Sequence, residues 1–294
     1  MASQISTTVD EAPSREWLVE FIAKYHGHPT VSGPQIDHRF RLVESFKIEP
    51  GHRILEIGCG QGDCTAALAI AVGEAGHITA VDPAPADYGS PMTVHQAQDL
   101  LSTSSLGPRI SWIRAMTPIQ YLAQNPNETW DVAVLAQSLW YFASPEEIRN
   151  TFTALQGRVN RVAVAEFSLR TSSTEAHAHV LAALTQGALA LHDENNQRNI
   201  RTCVGPETIA RLAKEAGFKL VGETFFTPAE EYQDARWEIG EVKSTEFAAA
   251  MESLVVGERE RAYIETLRNA MLGAVKASQS KPRSMDIWVA SFDV

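Results

Sequence analysis

Glu56, Gly58, Gly60, Gly62 and Asp82 are the residues whose types and spacing carry the most chemistry. Residues 54–69 read ILEIGCGQGDCTAALA. A strand-like run, Arg53 to Ile57, enters a turn with glycine at alternate positions, and an alanine-rich helix follows. Glycine reaches backbone conformations closed to other residues and lets a ligand approach the main chain. The helix start behind the turn offers free N–H donors. At the carboxyl end of a first strand, this is a nucleotide-type site. A dinucleotide fingerprint has the form G-x-G-x-x-G, and the place of its third glycine is held by Asp63. No G-x-x-x-x-G-K-[ST] phosphate loop occurs. A second strand, His77 to Val81, leads into Asp82. That acid stands about 20 residues beyond the glycines, as expected for an acceptor of hydrogen bonds from ribose hydroxyls.

The segment resembles the first motif of class I S-adenosylmethionine-dependent methyltransferases, in which an acid leads the glycine turn. The resemblance implies S-adenosyl-L-methionine as cofactor and gives roles to named residues. Glu56 would face the methionine end and its ammonium. Gly58, Gly60 and Gln61 would contact the cofactor with main-chain atoms. Asp82 would grip the ribose and Pro83 would lie against the adenine. Met116 stands where the family often has an acid facing the adenine amino group; its thioether can pack on a ring edge. Gln137, at the tip of the fourth strand, would touch the cofactor, and Trp140, Tyr141 and Phe142 follow it. Ligand clefts form at such strand tips, and Tyr141 is the preferred pocket residue. His38 is the preferred general base among nine histidines, with His26, His28, His177, His179 and His192 as further candidates. Arg39 or Arg41 would meet the cofactor carboxylate. Metal-dependent members carry carboxylates at the fourth-strand tip to hold Mg²⁺, and Gln137-Ser138 is no such pair. Nor does the Asn-Pro-Pro-Tyr signature of enzymes methylating DNA or protein amino groups occur there. The expected acceptor is a small molecule, methylated at O or N without a metal.

Elements alternate so as to position these residues. Strands are predicted at Arg53–Ile57, His77–Val81, Arg109–Arg114, Asp131–Ala136, Arg161–Phe167, Lys219–Phe226 and Met285–Phe292. Helices are predicted near Gln61–Val72, Met92–Ser102, Pro118–Gln124 and after Ser144-Pro145-Glu146-Glu147, which has cap chemistry. Another opens at Gly205-Pro206 and closes at Gly217. Alternation of this kind means an α/β fold with a parallel sheet covered on both faces. The family resemblance makes it a doubly wound, Rossmann-like, seven-stranded sheet with an antiparallel last strand.

Three parts exceed that minimum. Ser14–Tyr25 and Gln35–Phe46 read as N-terminal cap helices, with a loop at His26–Pro34 between them. Thr174–Leu191 is a long helix, followed by a polar loop at Asp193–Thr202. Thr245–Leu254 and Glu258–Lys276 are helices inserted between the last two strands. The stripe Ile264, Leu267, Met271 and Val275 suits either a lid or a homodimer interface. The expected organisation is a disordered lead over 1–13, a helical cap over 14–49, and a methyltransferase domain over 50–294 with insertions near 173–203 and 230–280.

Composition narrows the rest. The chain has 294 residues, 44% of them apolar, enough for a large core. A net charge of −11 disfavours nucleic acid, whose phosphates need a basic surface. No run approaches the length of a membrane-spanning helix, so no membrane partner is expected. The polar N-terminus lacks signal-peptide regions. Three cysteines, without a C-x-x-C, suggest a reduced, cytoplasmic protein. Two rivals remain. One is an S-adenosylmethionine-binding protein that does not methylate, such as a pericyclase or a regulatory scaffold. The other is a nicotinamide-dependent oxidoreductase, which Asp63 opposes.

Overall fold

Seven strands form one sheet in the order β3-β2-β1-β4-β5-β7-β6. A computed structural model describes residues 13–26, 29–193, 196 and 198–294. The expected N-terminal lead falls outside them apart from Pro13, and so does His28. The strands are β1 (Arg53–Ile57), β2 (His77–Asp82), β3 (Ile110–Arg114), β4 (Trp130–Ala136), β5 (Val159–Phe167), β6 (Lys219–Phe226) and β7 (Ile287–Asp293). Strands β1 to β5 pair in parallel, and β7 lies antiparallel between β5 and β6. The chain winds from β1 outward to β3, then returns to β4 on the other side of β1. Strand order reverses between β1 and β4, and a crevice opens outside their carboxyl ends.

The central strands are nearly continuous apolar runs because helices cover both faces. In β1 every residue after Arg53 is buried. The covering helices are α3 (Asp63–Val72), α4 (Val94–Ser102), α5 (Pro118–Gln124), α6 (Pro145–Leu155) and α8 (Pro206–Glu215), with α1 (Arg15–His26) and α2 (Pro29–Ser45) from the N-terminal cap. Their starts follow local chemistry. Thr93 and Thr117 each close a capping box with a glutamine at the third helical position. Ser144 caps α6, with Pro145 at its first position.

The expected loop at His26–Pro34 is corrected: α2 starts at Pro29 and runs through Pro34. Proline suits a first helical position, as at Pro29, whereas Pro34 in the second turn gives up one i→i−4 hydrogen bond. The long helix expected from Thr174 begins as a 3₁₀ turn, Thr174–Ala176, before α7 (His177–Ala190). A helix not expected, α9 (Asp234–Lys243), precedes α10 (Thr245–Leu254) and α11 (Glu258–Ala277).

Helices α7, α9, α10 and α11 enclose a second apolar cluster around Ala182, Ile239, Phe247, Ile264 and Met271. Ile264 and Met271 are 1% and 0% exposed. Ile264 and Met271 of the α11 stripe pack into this cluster, whereas Leu267 and Val275 are half-buried. No helix among the described residues is long and apolar enough to cross a membrane.

Candidate active site

The glycine turn connects β1 to α3, and its shape follows from its neighbours. Gly58 has φ +79°, and a Cβ there would lie 2.4 Å from Ser138 Cβ. Only glycine lets β1 and the β4 tip approach this closely. Ser138 completes the junction by donating Oγ to the Ile57 carbonyl at 2.8 Å. Gly60, at φ +51°, has open space where a side chain would stand. Gln98 of α4 donates Nε2 to the Gly60 carbonyl at 2.8 Å. The Gln61 side chain donates to the Met92 carbonyl at 2.5 Å, so it ties the turn to the loop after β2.

Asp82 is buried, and its carboxylate accepts from Gly60 N at 2.7 Å and Ala84 N at 2.8 Å. Burial raises its pKa, opposed by those two amides. Pro83 is exposed beside it. Half-buried Met116 donates its main-chain N–H to the Asp82 carbonyl at 3.3 Å. Glu56 is 1% exposed and accepts from Thr65 Oγ at 2.5 Å. Burial pushes its pKa up to about 7. Burial also raises the Cys59 and Cys64 thiols well above their usual range, so neither is a ready nucleophile.

At the β4 tip the chain leaves the sheet through Gln137, whose φ is +55°. Left-handed backbone at a non-glycine residue stores strain, and such strain clusters at working sites. Three groups converge on Gln137 Oε1. His38 Nε2 lies at 2.9 Å, Arg39 Nη1 donates to it, and the Tyr232 hydroxyl lies at 3.2 Å. Arginine can only donate, so the amide oxygen faces it. His38 Nε2 must then carry its hydrogen. Burial, with Arg39 beside it, holds the imidazole neutral, well below its usual pKa. In this arrangement His38 Nε2 has no lone pair to offer and holds Gln137. The Tyr232 hydroxyl also lies 2.5 Å from Asp234 Oδ2, and its single proton serves only one of these partners at a time.

Arg39 is drawn toward Asp234, Tyr232 and Asp63. Its Nε and the Gln137 Nε2 are buried without hydrogen-bond partners. Arg41 points away: it donates to the Thr227 carbonyl at 3.0 Å and lies 3.9 Å over the Phe226 ring. Of the two arginines considered, only Arg39 enters the crevice.

Tyr141 ends a 3₁₀ turn, Leu139–Tyr141, and is 44% exposed at the crevice. Its neighbours Trp140 and Phe142 are core, and Trp140 donates its indole N–H to the Val204 carbonyl at 2.9 Å. The turn is anchored by Glu166, at the end of β5, which accepts from Leu139 N at 3.1 Å and Phe167 N at 3.0 Å. Burial raises Glu166 to about 7. Sequence reasoning missed Glu166, although the signal that singled out Glu56 applies equally: a lone acid in an apolar strand. It also missed Tyr232, Asp234 and Gln35, whose Nε2 donates to Asp234 Oδ1 at 3.0 Å. Among the other histidines, His179 is fully buried, accepts from Met285 N at 3.0 Å, and is pushed down to about 3 by burial. His177 is exposed and His192 half-buried. A hollow of about 330 Å³ at the opposite, amino ends of the strands is lined by Arg53, Asp131, Gly157 and Arg158 and shares no residue with this site.

Comparison with known proteins agrees with this geometry. A family model described as a methyltransferase domain matches residues 35–223. Two methyltransferases of Diaporthe leptostromiformis, phomM′ and phomM, are each 31% identical over 281 residues, covering 82% of this chain and 73% of each relative. A cyclopropane-fatty-acyl-phospholipid synthase-like protein from Lactobacillus casei superposes with a TM-score of 0.83 at 29% identity, over 95% of this chain and 98% of that one. A mycolic acid cyclopropane synthase complexed with SAH, at 13% identity, shares the fold with a TM-score of 0.51 over 88% of this chain and 84% of its own. With the family model spanning most of the chain and the seven-stranded order beneath it, this protein belongs to the class I S-adenosylmethionine-dependent methyltransferases.

Proposed function

We propose that the chain transfers the methyl group of S-adenosylmethionine to a small-molecule acceptor, at nitrogen or oxygen, without a metal ion. The observation that carries this reading is the junction at the β4 tip. There Gln137, Arg39, Tyr232 and Asp234 meet beside the exposed Tyr141. The residues present fit the cofactor. Arg39 Nε and Gln137 Nε2 are two bare donors, suited to the methionine carboxylate. Glu56 is a buried acid suited to the ammonium. Asp82 takes the ribose hydroxyls, while Gly58, Gly60 and Gln61 present main chain. Pro83 and Met116 flank the adenine, and Tyr141 forms a wall for the acceptor. His38 is a positioning residue that fixes Gln137. The guanidinium of Arg39 at the tip opposes a divalent cation in the same place.

When bound, the cofactor supplies an already activated sulfonium methyl. The protein's part is to hold the acceptor in line with it and to exclude water, which can supply about 7–11 kcal/mol of the barrier. The experiment is calorimetry with S-adenosylhomocysteine on wild type and Asp82→Ala. The variant should lose at least ~1 kcal/mol of affinity, since the ribose would lose a charged acceptor. Unchanged affinity in a folded variant removes the ribose assignment. Methylation of the acceptor should survive excess EDTA; loss restored by Mg²⁺ rules out the metal-free reading.

A further inference from the structure

Helix α9 carries two carboxylates one turn apart, Asp234 and Glu238, and a buried glutamine holds each. Gln35 of α2 donates Nε2 to Asp234 Oδ1 at 3.0 Å, and Gln186 of α7 donates Nε2 to Glu238 Oε2. Both glutamines are 2% exposed. In both, the Oε1 atom is buried without a hydrogen-bond partner. Two bare amide oxygens beside two carboxylates form a shelf of acceptors that lacks donors. Buried acceptors are costly to leave unpaired.

The charge balance agrees. Asp234 is within reach of Arg39. Glu238 has neutral partners, Gln186 and Asn199, the latter donating Nδ2 to Glu238 Oε1 at 3.4 Å. No ion pair to Glu238 occurs among the described residues. Arg198 is committed to Asp193 at 3.1 Å and Glu241 at 3.5 Å. Arg201 donates to the Tyr141 carbonyl at 3.3 Å.

The shelf is tied to both ends of the crevice. Asp234 connects through Tyr232 to Gln137 at the β4 tip. Glu238 connects through Asn199 to the hydroxyl of Tyr88, on the loop after β2. Tyr141, 44% exposed as a residue, lies within electrostatic reach of Tyr88, Glu238 and Asp234.

We propose that Asp234, Glu238, the free oxygens of Gln35 and Gln186, and the Tyr141 ring form the acceptor subsite, and that it selects a cationic amine. The inference rests on the methyl-transfer reading above. An ammonium supplies up to three N–H donors to this set of acceptors, and an aromatic face attracts a cation. Burial pushes the Glu238 carboxyl up to about 7, and an ammonium beside it would favour the charged form, whereas a hydroxyl acceptor would bring a single donor and no charge. For transfer, the ammonium gives one proton to the Glu238 carboxylate. The freed nitrogen lone pair then displaces sulfur from the methyl carbon. One C–N bond forms, one C–S bond breaks with its electron pair left on sulfur, and the product is a methylated ammonium.

The test uses the full chain saturated with S-adenosylhomocysteine and a matched probe pair, 2-phenylethylamine and 2-phenylethanol, titrated by calorimetry. The amine should bind at least ~10-fold tighter than the alcohol, a gap of about 1.4 kcal/mol. Glu238→Gln should lose that preference while keeping its S-adenosylhomocysteine affinity and thermal midpoint. The wild-type ratio stands as a separate readout should the variant fail to fold. Equal binding of the pair overturns the proposal, as does an unchanged preference in the variant. Failure of both probes on cofactor-loaded protein also overturns it and leaves the methyltransferase reading intact. Failure of S-adenosylhomocysteine to bind wild type overturns both.

Discussion

The two sides of the crevice are built by different means. On the β1–β2 side, Asp82 meets main-chain N–H groups, Gly60 at 2.7 Å and Ala84 at 2.8 Å. On the α9 side, Asp234 and Glu238 meet side chains, Gln35, Gln186 and Asn199 from elsewhere in the chain and Tyr232 two residues from Asp234. Main-chain donors come with the fold and do not depend on rotamers. Side-chain donors must be ordered from elsewhere, at a cost in conformational entropy. The β1–β2 side is therefore set by the fold, whereas the α9 side can vary its side chains without disturbing the sheet. The two sides also draw on separate apolar clusters, one around the sheet and one inside the lid.

The largest effect should come from breaking the β1–β2 side at its closest approach. Gly58→Ala forces a Cβ to 2.4 Å from Ser138 Cβ at φ +79°. We expect a loss of about 3 kcal/mol in urea unfolding, from backbone strain and overpacking together. A wild-type midpoint would show that the β1–β4 junction yields more readily than its geometry implies.

The next prediction separates two arginines on one helix. Arg39→Ala should weaken S-adenosylhomocysteine binding by about 2 kcal/mol, the worth of a hydrogen bond to a charged group. Arg41→Ala should leave it within about 0.5 kcal/mol, since Arg41 lies over Phe226 at the surface. Equal losses would mean that the crevice extends past Phe226 and that Arg39 has no special place.

A third prediction uses pH. Glu56 and Glu166 are each raised from 4.5 to about 7 by burial. The native state therefore holds their protons more tightly than the unfolded chain does. Their contribution to stability is full below about 4.5 and is lost as pH rises through about 7. The size is on the order of 1–3 kcal/mol per group. Chemical denaturation of the cofactor-free protein across this window should show that slope, and Glu56→Gln and Glu166→Gln should each flatten part of it. Saturating cofactor, by bringing an ammonium to Glu56, should remove the Glu56 share and spare that of Glu166. A slope indifferent to Glu166→Gln would contradict the rise to about 7 that burial gives it.

The smallest effect belongs to the exposed wall. Tyr141→Phe should change stability by less than about 0.5 kcal/mol, because the residue is 44% exposed. Because phenylalanine keeps the ring face, acceptor KM and cofactor affinity should both stay near wild type, whereas Tyr141→Ala should raise the acceptor KM with unchanged cofactor affinity. A drop in cofactor affinity would move Tyr141 to the other side of the crevice.

Sequence alone determined the glycine turn, the alternation of strands and helices around it, Asp82 at the end of β2 and the Ser144 cap of α6. These depend on rules that act over a few residues: positive φ at glycine, side-chain caps, and the periods of strand and helix. Glu166 was equally legible, by the argument applied to Glu56. Tertiary structure alone set Arg39 and His38 against Gln137 while Arg41 turned to Thr227, and packed Ile264 and Met271 into the second cluster. It alone brought Gln35 to Asp234, 199 residues away, and Tyr232 to Gln137, 95 residues away. No local pattern encodes such pairs. They arise when packing of the two apolar clusters sets the lid against the sheet, and the buried polar groups must then find partners across the join.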